Sequence, residues 1–348
     1  MANRRVSIRD VAAAAGVSPT TASDVLTNAE GARVAKETRQ RVRNAAQRLR
    51  YTPNIMARGL RLQRTNVLAL LSDRIATTPY SGRLILGAQE AALEHGRTLV
   101  VLDTGDNPDT ERRDVDTLVQ QQVDGVLYAS VYHRRVQLPA GLDGVPIVLL
   151  DARSDNESVP AVVPDEVGGG RAAVEELLAY GHTRIGFATS REDIPATHGR
   201  LEGYRAALEA AGIDFNPRLV VAAEYEASGG YLAARTLLTR RTRPTALFCF
   251  NDRMAMGAYR AAAELGLRIP DDVSIIGFDD QEIICEGLYP QLTTVALPHF
   301  EMGSWAVDAL VAQIERPGGQ PTGPFPKLVA CPLIRRASVA PPAAASPA

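Results

Sequence analysis

Polar side chains stand directly after several apolar runs of the kind that form buried strands. Asp73, Asn251 and Asp279 each follow such a run, and Arg200 opens a predicted helix at the same edge. Ligands of α/β folds bind outside the carboxyl ends of parallel strands. Convergent carboxylate, amide and guanidinium groups at this edge therefore predict a pocket for a small hydroxyl-rich molecule, such as a sugar or a nucleoside.

The adjacent Asp252 and Asp280 have a plainer explanation. Aspartate and asparagine are common helix caps, so these two residues fit N-caps or loop charges better than ligand contacts. Capping would also account for the other polar groups at this edge, which leaves a structural role open for each of them.

Residues that could carry catalysis or hold a metal are not arranged for either task. No G-x-G-x-x-G pattern follows a strand, the glycines at 168–170 have the wrong spacing, and no Gly-x-Ser-x-Gly turn or Ser-His-Asp set is readable. The 5 histidines form no close pair, and the 3 cysteines are widely spaced. An enzyme such as a dehydrogenase is therefore disfavoured, and no catalytic residue, metal site or cofactor is predicted.

The start of the chain carries signals for two short helices joined by a tight turn. Ser7 predicts an N-cap, and Gly16 ends the first helix because glycine adopts the turn conformation easily. Ser18 predicts the next N-cap, with Pro19 in the first turn of a helix that runs to about Leu26. This is helix-turn-helix spacing.

The second helix of such a motif enters the major groove of DNA, where its early residues contact base edges. Hydroxyl groups can bond to bases or phosphates, and threonine methyl groups can contact thymine methyl groups. The residues of the head predicted to meet DNA are Ser7, Ser18, Pro19, Thr20, Thr21, Ser23 and Asp24. On this motif alone, a helical bundle for protein interaction is the alternative.

Charge is distributed unevenly along the chain. Residues 1–64 hold 13 Lys and Arg against 4 Asp and Glu, a balance of +9, so the remainder carries −11 to give the net charge of −2. A basic head on an acidic body suits a head that meets phosphates. A solvated basic face on the third predicted helix, at 36–49, would explain the same excess, so the helix-turn-helix spacing decides between them.

The body alternates short apolar strands with helical stretches, which predicts parallel sheets covered on both faces. The pattern repeats after Asp165, which predicts two lobes with a cleft between them. The predicted fold class is thus a small all-α head plus a two-lobed α/β domain. The predicted boundaries are 1–50 for the head, 51–64 for a hinge, 65–163 and 295–325 for lobe 1, 164–290 and 326–340 for lobe 2, and 341–348 for a disordered tail.

Runs of residues along nearly the whole chain match one known pattern. They are IRDVA at 8–12, AGVS at 15–18, VAKETR at 34–39, YTPNIMARGL at 51–60, RLEGY at 200–204 and GFDD at 277–280. The chain resembles the lactose/galactose-repressor family of bacterial transcription regulators. This resemblance implies that the two-lobed domain is periplasmic-binding-protein-like and holds a small-molecule effector.

The resemblance also implies a hinge helix that folds in the DNA minor groove when paired with its dimer mate. The matching contacts are Asn54, Ala57 and Leu60, and Leu60 matches a leucine that wedges between the central base pairs. A plain linker with Leu60 packed on the body is the alternative.

Two further effector contacts, Asp165 and Tyr225, are implied by the resemblance alone. Asp165 matches the acidic turn that starts the second lobe, whereas Tyr225 matches an aromatic position against the ligand. An ordinary packed tyrosine explains Tyr225 nearly as well. Arg200, Asn251 and Asp279 match pocket segments of the family too.

Departures from the family pattern affect both predicted sites. Asp24 stands where the family usually has an arginine that reads guanine, and an acid can instead accept from a cytosine amino group. Ala296 and Leu297 replace a common Arg-Gln pair, and residues 77–80 replace an Asn-Pro-Phe segment. The operator and the effector are therefore expected to differ from those of the best-known relatives.

The resulting hypothesis is a repressor that binds a palindromic double-stranded DNA operator as a homodimer and responds to a small molecule. The tail lacks leucine heptads, which favours a dimer over a tetramer. Neither a membrane span nor a signal peptide is readable, which predicts a cytoplasmic protein without a membrane partner. The body alone would also fit a solute-binding protein of a transport system, an alternative that the basic head disfavours.

The minor-groove wedge can be tested by substituting Leu60→Ala. Losing the wedge should weaken specific operator binding, since the bent DNA and its extra contacts would no longer offset the cost of opening a base step. Ligand affinity should change little. Fluorescence anisotropy on operator DNA measures the first quantity and calorimetry the second, and unchanged operator affinity would refute the wedge.

Overall fold

The computed structural model describes residues 6–26, 34–51, 64–75, 81–316 and 325–343, apart from the side chains of residues 131 and 132. The chain divides into two compact units after Thr65. The predicted contacts at Asn54, Ala57 and Leu60 lie outside the described residues. In the part of the chain that is described, no helix is both long and apolar enough to cross a membrane.

The described part of the head consists of three helices, α1 (Ile8–Ala15), α2 (Pro19–Leu26) and α3 (Lys36–Arg48). Local signals set their ends as the sequence predicts. The backbone N–H of Asp10 donates to Ser7 Oγ at 3.4 Å, and Gly16 closes α1 with a left-handed φ of 65°. Apolar side chains from all three helices form the core of the head: Val11, Ala12, Ala15, Ala22, Val25, Val42, Ala45 and Ala46.

The first sheet of the body has six parallel strands in the order β11-β5-β4-β3-β1-β2. Its strands are β1 (Val67–Ser72), β2 (Thr98–Asp103), β3 (Gly125–Arg135), β4 (Ile147–Arg153), β5 (Ala161–Pro164) and β11 (Lys327–Val329). Its helices are α4 (Gly82–Glu94), α5 (Pro108–Gln120) and α11 (His299–Glu315). Apolar side chains of α4 and α11 share the core of this lobe with the strands.

The second sheet also has six strands, in the order β12-β10-β9-β8-β6-β7, with only β12 antiparallel to its neighbour. Its strands are β6 (Ile185–Ser190), β7 (Val220–Ala223), β8 (Ala246–Cys249), β9 (Ser274–Asp279), β10 (Thr293–Ala296) and β12 (Leu333–Ile334). Its helices are α6 (Glu166–Ala179), α7 (Pro195–Ala210), α8 (Ala227–Leu238), α9 (Asp252–Glu264) and α10 (Glu282–Gly287).

Helix α11 returns to the first lobe from the far end of the sequence and packs closely on α4. A Cβ atom built on Gly87 of α4 would lie only 2.0 Å from the Phe300 carbonyl oxygen. Any larger residue at this position would push the two helices apart. This glycine therefore helps to bring a late segment of the chain into the first lobe.

Two sequence-based boundaries differ from the structure, and one strand was not predicted. The helix expected to begin at Arg200 begins at Pro195, so Arg200 lies inside α7 rather than at its start. Proline in the first turn fixes this earlier start. The strand Lys327–Val329 pairs with β5 of the first sheet, although residues 326–340 were predicted to belong to lobe 2. The short β5 was not predicted, because four residues ending in Pro164 give too little periodicity.

Candidate functional site

The residues predicted to contact DNA lie mostly on α2 or directly before it. Ala22 and Val25 of this helix are buried against the rest of the head. Of the predicted contacts, Ser18, Pro19 and Thr20 are exposed, whereas Thr21, Ser23 and Asp24 are half-buried. Burial of one side of α2 thus leaves the other side open to solvent at the positions that a recognition helix uses.

Three of the predicted DNA contacts already use their hydroxyl groups within the head. Ser18 Oγ lies 2.8 Å from Thr21 Oγ1 and accepts from the Thr21 backbone N–H at 3.0 Å. Ser7 Oγ donates to Asp10 Oδ2 at 2.7 Å. Ser7 and Ser18 therefore have a capping role, in addition to any contact that they make with DNA.

Basic side chains of the head lie on the exposed side of α3 and at its end. Arg41, Arg43, Arg48 and Arg50 are exposed there, while Arg39 donates from Nε to the Val34 carbonyl at 3.1 Å. Exposed guanidinium groups suit contacts to DNA phosphates, which supply affinity without sequence specificity.

Arg200 forms the centre of the cleft of the body. Its side chain is 4% exposed, and its Nε donates to Glu166 Oε2 at 2.7 Å. The guanidinium lies between two aromatic rings, 3.7 Å from the Phe278 centroid and 4.4 Å from the Phe250 centroid. Burial acts to lower the pKa of Arg200, but the charges of Glu166 and Asp279 outweigh it, so that its pKa is raised and the group stays cationic.

The acidic turn at the start of the second lobe presents Glu166 to the cleft rather than Asp165. Asp165 is the N-cap of α6, and its Oδ1 accepts from the Gly168 backbone N–H at 2.8 Å. Glu166 is buried and pairs with Arg200. The prediction of Asp165 as an effector contact therefore points to the right turn, but its carboxylate is engaged as a helix cap.

Asn251 has both ends of its amide committed to the backbone. Its Oδ1 accepts from the Met254 N–H at 2.8 Å as the N-cap of α9, and its Nδ2 donates to the Tyr225 carbonyl at 3.0 Å. The Arg253 guanidinium lies 5.2 Å from the centre of the Tyr225 ring. Asn251 thus fixes the loop that carries Tyr225, which agrees with the capping role that the sequence analysis left open for it.

Asp279 and the deeper Asp252 share the end of β9 and the start of α9. Asp279 Oδ1 lies 3.5 Å from Arg200 Nη1, and burial raises the pKa of its carboxyl group. Asp252 accepts from Thr294 Oγ1 at 2.6 Å and from the Gln281 backbone N–H at 2.7 Å. Asp252 therefore connects α9 to β10 and to the loop after β9, which agrees with the structural role predicted for it. The N-cap of α9, however, is Asn251 and not Asp252.

Asp73 of the first lobe lies in an ion-pair network at the outer part of the cleft. Its Oδ2 accepts from Arg134 Nη2 at 2.5 Å and from Ser130 Oγ at 3.3 Å. Arg134 also lies 3.8 Å from Asp106, and Arg74 lies 3.3 Å from the same carboxylate. The structure thus brings Asp73 to the cleft, as predicted, with basic partners that the sequence did not indicate.

His133 and Asp151 are cleft residues that sequence reasoning missed. Both are buried, one on β3 and one on β4 of the first lobe. Burial lowers the pKa of His133 to about 3 and raises the pKa of Asp151 well above its usual value. A signal was available for Asp151, because it directly follows an apolar run in the way that Asp73 does.

Two cavities lie in the cleft. They adjoin each other, because Ile194 and Phe250 line both of them. The inner cavity, of about 30 Å³, is lined by His133, Asp151, Glu166, Ile194, Ala196, Arg200, Phe250, Asn251, Arg253, Asp279 and Leu297. The outer cavity, of about 230 Å³, is lined by Asp73, Arg74, Asp106, Arg134, Glu192, Ile194, Tyr225 and Phe250. Across the described ranges, no set of His, Cys, Asp or Glu side chains is grouped to hold a metal.

The cleft can therefore hold a small molecule by hydrogen bonds and ring contacts. Arg200, Asp279, Asn251, Tyr225 and Asp73 of the predicted set converge on it, and Asp165 supports it from the neighbouring turn. Residues of both lobes line the inner cavity, so a bound molecule would contact both.

Comparison with known proteins matches both units of the chain. Residues 7–54 match the model described as bacterial regulatory proteins, lacI family. Residues 64–323 match the model described as periplasmic binding proteins and sugar binding domain of LacI family. A protein with the body alone would lack the first match, so the comparison does not favour the transport interpretation.

Individual relatives agree over most of their lengths. The chain is 36% identical to the HTH-type transcriptional regulator DegA of Bacillus subtilis, covering 86% of this chain and 89% of the relative. It is 33% identical to the ribose operon repressor of Escherichia coli K12, covering 89% and 94%. A solved lac repressor dimer bound to operator and the anti-inducer ONPF matches with a TM-score of 0.80 and 28% identity, covering 97% of this chain and 100% of that one.

The two family matches agree with the structure, in which the head has an exposed second helix and the body has two lobes with a polar cleft. The chain belongs to the LacI family of bacterial transcription regulators.

Proposed function

We propose that this chain is a transcriptional repressor that binds a palindromic operator as a homodimer and is controlled by a small molecule in the cleft between its lobes. The observation that carries the proposal is the presence, in one chain, of an exposed recognition helix and a buried polar cleft around Arg200. The named relatives, which include a repressor and an operator-bound dimer, support it. A regulator of this kind acts in the cytoplasm and needs no catalytic group.

The proposed DNA contacts combine base reading by α2 with phosphate binding by α3. Thr20 is exposed on α2, and its hydroxyl and methyl groups can both meet base edges. The half-buried Asp24 would disfavour phosphate and guanine and favour a cytosine amino group. Asn54, Ala57 and Leu60 are proposed minor-groove contacts on the resemblance to the family.

The proposed effector is a neutral, hydroxyl-rich molecule such as a sugar or a nucleoside. Charged groups of the cleft largely pair with each other, as in Arg200 with Glu166 and Arg134 with Asp73. Paired charges can orient hydroxyl groups without demanding a net charge on the ligand. The Phe250 ring and the Tyr225 ring supply the apolar surface that sugar and base rings pack against.

The proposed dimer surface includes exposed apolar side chains of α4 and of β2, an edge strand of the first sheet. Leu93 is 74% exposed on α4, and Val100 and Val101 are exposed on β2. In the second lobe, Met256, Ile283 and Tyr289 are exposed as well. Exposed apolar side chains beside an open sheet edge suit a protein interface, and a second copy would also cover that edge.

The proposal can be tested by selecting from random duplex DNA with the purified, ligand-free protein at about physiological salt, where non-specific binding to phosphate is weak. We expect enrichment of a palindrome with a flexible central step. Enrichment only after cell metabolites are added would show a co-repressor instead of an inducer. If neither selection enriches a sequence, the protein is not an operator-binding regulator.

Coupling between the cleft and DNA can be tested with Arg200→Lys. Lysine keeps the charge beside Glu166 but loses the planar group between Phe250 and Phe278, so the shape of the cleft changes without leaving a buried carboxylate unpaired. The effector concentration that gives half-maximal change in operator binding should rise at least tenfold, while ligand-free operator binding stays within about twofold.

The matched control for this variant is Arg205→Lys, an exposed arginine of the same helix whose guanidinium lies 4.3 Å from the Phe215 ring centre. It should respond as the original protein does. An Arg200→Lys protein with an unaltered dose-response curve would remove Arg200 from the effector site.

The proposed dimer surface can be tested with Leu93→Asp. A carboxylate buried at an interface is costly unless it is paired. We expect the dimer dissociation constant, measured by analytical ultracentrifugation, to rise at least tenfold, and operator affinity to fall because the two heads bind together. Val119→Asp, at an exposed apolar position of α5 outside this surface, serves as control. Equal dissociation constants for the two variants would place the dimer surface elsewhere.

A further inference from the structure

Five arginines lie at the edge of the second sheet that faces away from the cleft. Arg184 directly precedes β6, Arg218 lies just before β7, and the turn at residues 240–243 precedes β8. These strands are parallel neighbours in the order β8-β6-β7, so their amino ends meet at one edge of the sheet. We call this surface the arginine edge, and it consists of Arg184, Arg218, Arg240, Arg241 and Arg243.

Backbone carbonyl groups hold two of these guanidinium groups in place. Arg184 Nε donates to the Thr242 carbonyl at 2.8 Å, and Arg240 Nη1 donates to the Arg218 carbonyl. A guanidinium group has five N–H donors, so each of the two keeps donors for a further partner. A neutral carbonyl also leaves the positive charge of the arginine uncompensated.

The acids nearest to the turn at 240–243 are paired with another arginine. Asp271 and Asp272, which precede β9, each form an ion pair with Arg268 at 3.1 Å. Arg243 Nη1 donates to the backbone carbonyl of Asp272, at 3.1 Å, rather than to its carboxylate. Among the residues that the structure describes, no carboxylate forms an ion pair with an arginine of the arginine edge.

Positive charge is concentrated here although the body as a whole is acidic. Residues 227–251 contain four arginines and neither aspartate nor glutamate, whereas the chain after residue 64 has a charge balance of −11. Arg218 and Arg241 are exposed to solvent, and the exposed Asp214 sets one negative charge against the five positive ones. Like charges that are not compensated repel each other, so an anionic partner would stabilise this edge.

The spacing of the arginines fits the phosphates of a DNA duplex. Consecutive Cα atoms are about 3.8 Å apart, so residues 240–243 span at most about 11 Å. Arg184 bonds to the same turn at Thr242 and thus adds its charge to this span. A duplex carries one phosphate charge per about 1.7 Å of its axis, which places about six charges over that length. Several guanidinium groups can therefore contact one duplex together.

An acidic protein would fit the arginine edge less well than DNA does. Protein interfaces are anchored by aromatic and apolar side chains that become buried at their centre. None of the large apolar side chains that are exposed in the described chain belongs to residues 214–219 or 239–245, and the nearest to Arg184 in sequence is Tyr180. Guanidinium groups bind phosphates bidentately, and phosphate contacts alone supply non-specific affinity for DNA.

We propose that the arginine edge is a second DNA-contacting surface, which binds the phosphate backbone of a duplex without reading its sequence. The proposal goes beyond the proposed function, because neither the recognition helix nor the cleft uses these residues. The cleft lies at the carboxyl ends of the same strands, so a duplex held at their amino ends leaves the cleft open. The protein could then hold operator DNA and a further stretch of duplex.

The first test places a photoreactive azidophenacyl group on the full-length protein at Thr242→Cys. The 3 natural cysteines are buried, so the exposed new thiol is labelled selectively. At about 50 mM salt, light should cross-link this position to a labelled duplex of random sequence, and the yield should fall at least tenfold by about 200 mM. Gln120→Cys, at an exposed position of α5 in the first lobe, is the matched control. Equal yields at the two positions would overturn the proposal.

The second test removes two charges of the arginine edge from the Thr242→Cys protein by Arg218→Gln and Arg241→Gln. Both side chains are exposed, so the fold should be retained and the melting temperature should stay the same. The cross-linking yield at about 50 mM salt should drop at least tenfold, since two phosphate contacts are lost. Arg112→Gln with Arg113→Gln removes two exposed arginines from the first lobe and should leave the yield unchanged. Equal yields from the two double variants would contradict the proposal.

A competition experiment separates DNA from an acidic protein as the partner. Polyglutamate at the same concentration of charge should suppress the cross-link at least threefold less than unlabelled duplex, because the charge density of a duplex is higher. Equal or stronger suppression by polyglutamate would assign the arginine edge to an acidic protein segment instead. The cross-link requires neither an operator nor an effector, so failure to select an operator would contradict the proposed function alone.

Discussion

The cleft of the body depends on one buried cation. Arg200 of α7 is held by Glu166 at the start of α6, by the Phe250 carbonyl after β8 and by Asp279 at the end of β9. Its guanidinium also lies against the Phe250 and Phe278 rings. Four elements of the second lobe are thus positioned around one planar group. Removing the charge would leave buried carboxylates uncompensated, which typically costs about 3–5 kcal/mol.

Sequence reasoning located the helix ends of the head and the edge of the sheets that forms the cleft, since both follow from local rules. Ser7, Gly16 and Ser18 set helix ends through their own backbone and side-chain preferences. The resemblance pointed to Asp165 at the start of the second lobe, whereas Glu166 lines the inner cavity, because one residue step turns a helix position by about 100°.

Pairings between residues far apart in the sequence account for the cleft residues that were not predicted. His133 reaches the inner cavity only because β3 uses additional residues between its pairs with β4, and no local pattern reveals such an irregularity. Asn251 lines the inner cavity, where its contact with the ligand stays a prediction, and its amide caps α9 and supports the Tyr225 loop.

Three segments of the described chain pass between the lobes, at β5 to α6, at β10 to α11 and at β11 to β12. Backbone hydrogen bonds join them: the Asp165 N–H donates to the Val329 carbonyl at 2.8 Å, and the Ala296 N–H donates to the Pro332 carbonyl at 2.8 Å. These hydrogen bonds link the three crossings into one joint between the lobes. Substitutions at this joint are expected to change how readily the lobes move relative to each other, and hence the effector concentration that a response needs, without contacting the effector.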